Sequence, residues 1–134
     1  EKVKWIGTDL PKTDVDTVID AEGKYVIPGA IDVHTHMDID VGIARAVDDF
    51  YDGTVAAACG GTTSIVDHMG FGPAGVPLHY QFNEYKKLTE GKAVIDYGFH
   101  GVAQHVDDDI IAELETMAED GIPSVKAYLT YGLS

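Results

Sequence analysis

Four short runs rich in β-branched and aromatic residues recur along the chain at nearly constant spacing, and this recurrence restricts the available folds more than any other feature. The runs are Ala30 to His34, Thr62 to Asp67, Val94 to Phe99 and Ser124 to Leu129. Counted from Ile31, Thr63, Val94 and Ser124, successive separations are 32, 31 and 30 residues. That is the length of a strand, a helix and two turns, so the spacing predicts parallel βα units. The intervening segments agree. Asp48-Asp49 can cap a helix that runs through Val55 to Cys59 and stops at Gly60-Gly61. Leu78, Phe82, Tyr85 and Leu88 recur at helical spacing as far as Gly91. Asp107 to Asp109 open a third helix whose apolar face is Ile110, Ile111, Leu114, Met117 and Ala118, closed by Gly121. All three stripes read as core.

Residues 1 to 27 have a different texture, with β-type runs at Val3 to Ile6, Thr17 to Ile19 and Tyr25 to Ile27. They predict part of a small β-sandwich domain, and Pro28-Gly29 marks its boundary with a second unit over 28 to 134. The chain opens inside a β-type run without a leading turn, which points to further residues upstream.

Charge narrows the list of partners. Nine basic residues against 23 acidic ones give a net charge of -14, which repels phosphate backbones and anionic lipid headgroups. Neither nucleic acid nor a membrane surface is expected as a partner. No apolar run reaches the roughly 18 residues of a membrane span, and Glu1-Lys2-Val3-Lys4-Trp5 has no signal-peptide core, so the cytoplasm is the default location. The single cysteine, Cys59, sits in a small-residue run and reads as a packed small hydrophobe.

Four successive βα units fit either an open doubly wound sheet or half of an eight-stranded barrel. The Gly-x-Gly-x-x-Gly turn of dinucleotide-binding sheets is missing after the first strand. Chemistry at the strand ends favours the barrel. In Asp32-Val33-His34-Thr35-His36, residues two apart project to one face, so the imidazoles of His34 and His36 point together and can chelate one borderline divalent cation such as zinc. Asp32 shares that face and could orient a ligand. On the fourth strand Ser124, Lys126 and Tyr128 share a face opposite Val125, Ala127 and Leu129, which turns Lys126 inward. A buried amine gains neutral character and can react with carbon dioxide to form a carbamate, an anion able to bridge two metal ions.

These segments resemble the hydantoinase/dihydropyrimidinase branch of the amidohydrolase superfamily, and within it the phenylhydantoinases. Val26 to His36 resembles the first barrel strand with its histidine pair, and Asp48-Asp49-Phe50 with Gly60-Gly61-Thr62-Thr63 resembles the next helix and strand. Asp67-His68-Met69-Gly70-Phe71-Gly72-Pro73 is similar to the loop after strand two of phenylhydantoinases, and Ser124 to Tyr131 to the strand that bears a carbamylated lysine. The resemblance implies the first four strands of a TIM (β/α)8 barrel, with His34, His36 and carbamylated Lys126 as ligands to two divalent ions, zinc foremost. It implies Tyr131 as the phenol that supports the oxyanion, and a homotetramer as the assembly. The family's remaining ligands, two histidines and an aspartate, belong to later strands that do not occur in these residues, so the chain is expected to be an N-terminal fragment and inactive alone.

The substrate implied is a small cyclic ureide, a 5-substituted hydantoin or a dihydropyrimidine. Met37, Ile39, Met69 and Phe71, in the loops after strands one and two, could form an apolar wall favouring a bulky or aromatic substituent. His68 and His100 sit at strand ends as hydrogen-bonded or pocket-lining residues, and His79 and His105 flank helices at the surface. Rival readings are dihydropyrimidinase proper, a metal-free dihydropyrimidinase-related scaffold protein, and a metal-free α/β binding domain. Dihydroorotase and allantoinase share the histidine pair, but Met37-Asp38-Ile39-Asp40 lacks the pattern expected of them.

Overall fold

The computed structural model describes residues 2–8 and 17–129, along which strands and helices alternate. The elements are β1 (Ala30–Thr35), α1 (Phe50–Cys59), β2 (Thr62–His68), α2 (Leu78–Thr89), β3 (Asp96–Ala103), α3 (Asp108–Glu119) and β4 (Val125–Ala127). The strands form one sheet in the order β1-β2-β3-β4, and every neighbouring pair is parallel. A doubly wound sheet reverses its strand order at a switch point, whereas a barrel wall advances by one strand at each step. The order here is that of half a TIM barrel.

Local chemistry explains where the elements begin and end. The Asp49 carboxylate accepts from the backbone N–H groups of Tyr51 (2.8 Å) and Asp52 (3.0 Å), capping α1. Asp107 does the same for α3 through Ile110 N (2.9 Å). Gly61, at φ +88°, makes the left-handed turn from α1 into β2 that a side chain would resist. β3 begins at Asp96 rather than Val94, because the Val94 N–H is taken by Thr54 Oγ1 of α1 at 3.1 Å instead of a strand partner. β4 covers three residues of the expected six.

The core lies between the sheet and its helices. Phe50 is fully buried, and its ring meets those of Tyr85 and Phe99 edge-on, each at 6.3 Å. One aromatic cluster thereby joins α1, α2 and β3. Met117 of α3 is equally buried and lies against Gly101 of β3, where an added Cβ would come within 3.2 Å of its methyl.

Two expectations change. α3 buries Ile110 and Met117 but leaves Ile111 and Leu114 exposed, since only one flank of its apolar stripe meets the rest of the molecule. Cys59 is exposed rather than packed, because α1 turns Phe50, Gly53 and Thr54 inward and not its last turn. No strand forms among the described residues of 1 to 27, where Tyr25, Val26 and Ile27 are exposed. Without a neighbouring strand their backbone groups have no ladder to join. Ile31 and Val33 of the edge strand β1 are also exposed. Among the described residues no helix is long and apolar enough to cross a membrane.

His79 does more than flank a helix. Its Nδ1 meets Glu113 Oε2 at 3.0 Å and its Nε2 meets Asp120 Oδ2 at 2.9 Å, tying α2 to α3. Both nitrogens donate only in the imidazolium, so hydrogen bonding to Glu113 chiefly, opposed by burial and aided by Asp120, raises the pKa above its ordinary 6.5. A raised folded pKa adds stability that is complete below the unfolded value and lost as pH rises through the folded one. Thermal melts are therefore expected to weaken as pH climbs above 6.5. His79→Gln should flatten that slope, and an unchanged slope in the variant would exclude the clamp. His105 Nε2 lies 3.3 Å from Asp107 Oδ2 beside the start of α3, as expected of a helix-flanking residue.

Candidate metal centre

At the end of β1 the alternation of the strand carries His34 and His36 to one face. Their Nε2 atoms stand 3.2 Å apart, with ring centroids 5.0 Å apart. Two nitrogens bonded to one tetrahedral zinc at about 2.0–2.1 Å would be separated by roughly 3.3 Å, so the pair has the spacing of a chelate. The His36 Nδ1 lies 3.3 Å from the His68 carbonyl oxygen, which can only accept. Nδ1 therefore carries the proton and Nε2 is left with its lone pair toward His34. Asp32 uses its carboxylate on its own strand, accepting from His34 N at 3.1 Å, so it orients the backbone and not a ring. Among the described residues no group of three or more His, Cys, Asp and Glu side chains could hold a metal ion.

Two residues given only modest roles by sequence continue the site inward. His68 stacks on His34 with centroids 3.9 Å apart and lies 4.4 Å from His100. His100 Nε2 faces the Val33 carbonyl at 3.2 Å and must donate to it, which leaves Nδ1 to accept from the Ser124 hydroxyl. Register is the cause: His68 pairs with His100, and Gly101 with Val125, which sets Ser124 beside His100. Side chains from β1, β2, β3 and the residue just before β4 thus make one continuous inner row. His68 is buried, and its Nδ1 has no hydrogen-bond partner among the described residues. Burial first, then repulsion from His34, His100 and Lys126, lowers its pKa to about 4, so it is neutral at pH 7.

Lys126 is half-buried on β4, two residues beyond Ser124 and in register with Val102. Its Nζ lies 4.6 Å from the centre of the Tyr128 ring rather than on an imidazole. Tyr131 lies outside the described residues.

The loop after β1 folds back on itself. Asp38 N donates to Asp48 O at 2.9 Å, Ala46 N to Ile39 O at 2.8 Å, and Arg45 grips the buried Asp38 carboxylate. Asp38 holds a left-handed φ of 56°, which these bonds fix. Ile39 and Phe71 then face Tyr128 across a cleft of about 410 Å³, the Phe71 and Tyr128 rings meeting at 5.1 Å. Met37 and Met69 do not join this wall. Met69 is a core residue, and Met37 packs on that core with its sulfur against Gly53.

No family model matches the chain. Among curated proteins it is 56% identical over 129 residues to D-phenylhydantoinase of Escherichia coli O1:K1 / APEC, covering 96% of this chain and 28% of that protein. It is 61% identical over the same shares to D-phenylhydantoinase of Escherichia coli O9:H4 (strain HS). Among solved structures, a dihydropyrimidinase from Brevibacillus agri NCHU1002 superposes with a TM-score of 0.86 at 45% identity, covering 92% of this chain and 27% of that one. A D-hydantoinase superposes with a TM-score of 0.85 at 43% identity, covering 94% and 27%. The chain belongs to the hydantoinase/dihydropyrimidinase family. It spans 28% of the length of the curated relatives it matches. Within this hydantoinase/dihydropyrimidinase chain, the histidine pair, the inner row and the Phe71–Tyr128 cleft all belong to the segment shared with those relatives.

Proposed function

We propose that this chain forms the first half of the barrel of a metal-dependent cyclic amidohydrolase that opens the ring amide of 5-substituted hydantoins or of dihydropyrimidines. The observation that carries this reading is the approach of the His34 and His36 Nε2 atoms to 3.2 Å at the end of β1. His34 and His36 would hold one side of a centre of two divalent ions, zinc foremost, and Lys126 would reach it as a carbamate. Carbamylation lengthens the side chain and replaces a repelling cation by an oxygen anion, so it alters both the reach and the charge of a residue now directed at Tyr128. The ions would supply activation of water for attack on the ring carbonyl at neutral pH. Tyr131 would donate a hydrogen bond to the developing oxyanion, a contact whose loss typically costs about a hundredfold or more.

The remaining ligands and the proton shuttle would come from the rest of a full-length protein, so these 134 residues are read as inactive alone. Residues 1 to 27 would belong to a small β domain completed by other parts of that protein, and the assembly would be a homotetramer. The aryl-lined cleft of Ile39, Phe71 and Tyr128 favours a hydantoin bearing a bulky or aromatic substituent. In the full-length protein, kcat/KM on phenylhydantoin is expected to exceed that on dihydrouracil. A clear preference for dihydrouracil would instead support the dihydropyrimidine reading, which the similarity to the Brevibacillus agri dihydropyrimidinase favours.

A further inference from the structure

Asp67 is fully buried, yet neither the core nor the chemistry proposed above uses its carboxylate. It belongs to β2 and pairs in register with Thr35, so it lies on the helix side of the sheet, behind the histidine pair. Its Oδ2 accepts two hydrogen bonds at once, from Thr35 Oγ1 at 2.6 Å and from the Met37 N–H at 2.8 Å. Thr35 and Met37 are the residues on either side of His36. The ladder between β1 and β2 is irregular between Asp32 and Thr35, and β1 ends at Thr35. Regular strand pairing therefore does not fix the backbone that carries His36, and Met37 N would lack a ladder partner. We infer that Asp67 is a positioning residue for the histidine pair, its buried carboxylate gripping both flanks of His36 so that the ring meets His34 at chelating distance.

The cost of the arrangement supports a specific role. Asp67 Oδ1 has no hydrogen-bond partner among the described residues, and burial raises the carboxyl pKa against the pull of Met37 and Thr35. An apolar residue would fill the same layer without that penalty. Only an acceptor can hold the two donors. The next residue, His68, completes the grip by offering its carbonyl to His36 Nδ1. β2 thus restrains the backbone of His36 through one residue and its ring through the next.

This inference rests on the reading of His34 and His36 as metal ligands, and two readouts on the full-length protein separate it from that reading. One is hydrogen–deuterium exchange of the segment Thr35 to Met37 in metal-free protein. The other is zinc affinity by competition with a chromophoric chelator. Asp67→Ala should speed exchange at Met37 and weaken zinc binding on the order of tenfold or more, the range seen when residues supporting metal ligands are removed. Asp67→Asn, whose amide oxygen still accepts from both donors, should stay within about threefold of wild type. Ile65→Val trims the same buried layer without touching the clamp and should change neither readout. If Asp67→Ala does not fold, Thr35→Val removes one of the two bonds and should show faster exchange with a smaller loss of zinc. Unchanged exchange in Asp67→Ala, or in Thr35→Val where that stands in for it, overturns the clamp. Faster exchange with wild-type zinc affinity, or equal zinc loss in Ile65→Val, overturns the positioning role. Wild-type protein that takes up no zinc overturns the metal-centre reading, while the exchange result still decides the clamp.

Discussion

Lys126→Ala in the full-length protein is expected to remove bound metal and to lower turnover by about a thousandfold or more. The magnitude follows from what is lost. Metal activation of a carbonyl and its attacking water is worth several kcal/mol of transition-state stabilisation, and about 4 kcal/mol corresponds to three powers of ten in rate. The lysine is the residue proposed to join the imidazole pair as a bridging carbamate. Among the described residues no three His, Cys, Asp or Glu side chains gather around a cation, while Lys126 is half-buried on the strand next to the one that bears His100. Metal analysis of the purified variant checks the first effect and steady-state kinetics the second. Wild-type metal content in Lys126→Ala would reject a bridging role for the residue.

Phe50→Ala should give the largest loss of stability of any substitution considered. The ring is fully buried and contacts Tyr85 and Phe99, so its removal leaves a cavity where α1, α2 and β3 meet. Truncations of this kind cost about 3–5 kcal/mol. Urea unfolding of the full-length variant should show its midpoint fall with the slope unchanged, since the native surface exposed on unfolding is nearly the same. A loss below about 1 kcal/mol would mean that the three elements do not share one core.

The sequence was most informative where periodicity and capping chemistry coincide. Asp49 and Asp107 cap the helices expected of them, and the four strands follow from β-branched runs at regular spacing. It was least informative where burial depends on what lies beside an element. The α3 stripe reads the same at Ile111 as at Ile110, yet only Ile110 meets the interior. Val94 looks like a strand residue, but a hydroxyl on α1 captures its N–H. The runs between Val3 and Ile27 have β composition and no partner strand within the described residues, so composition alone builds no ladder there.

The candidate site divides in the same way. His34 and His36 were legible because two residues on one strand fix their own relative placement. The row through His68, His100 and Ser124 depends on the register between strands, which one sequence does not encode directly. A signal was available: His68 and His100 are 32 residues apart, the spacing of one βα repeat, and so fall at equivalent levels of adjacent strands. Asp67 had no comparable signal. An aspartate at a strand end looks like any polar terminus until its neighbours across the sheet are known.

Anomalous scattering at the zinc edge from crystals of the metal-loaded full-length protein bears most directly on the proposed centre. The expected result is zinc at about 2.0–2.1 Å from the Nε2 atoms of both His34 and His36, with continuous density joining it to a carbamylated Lys126. Zinc bound away from the two imidazoles, or an unmodified Lys126 amine still resting on Tyr128 in the loaded protein, would contradict it.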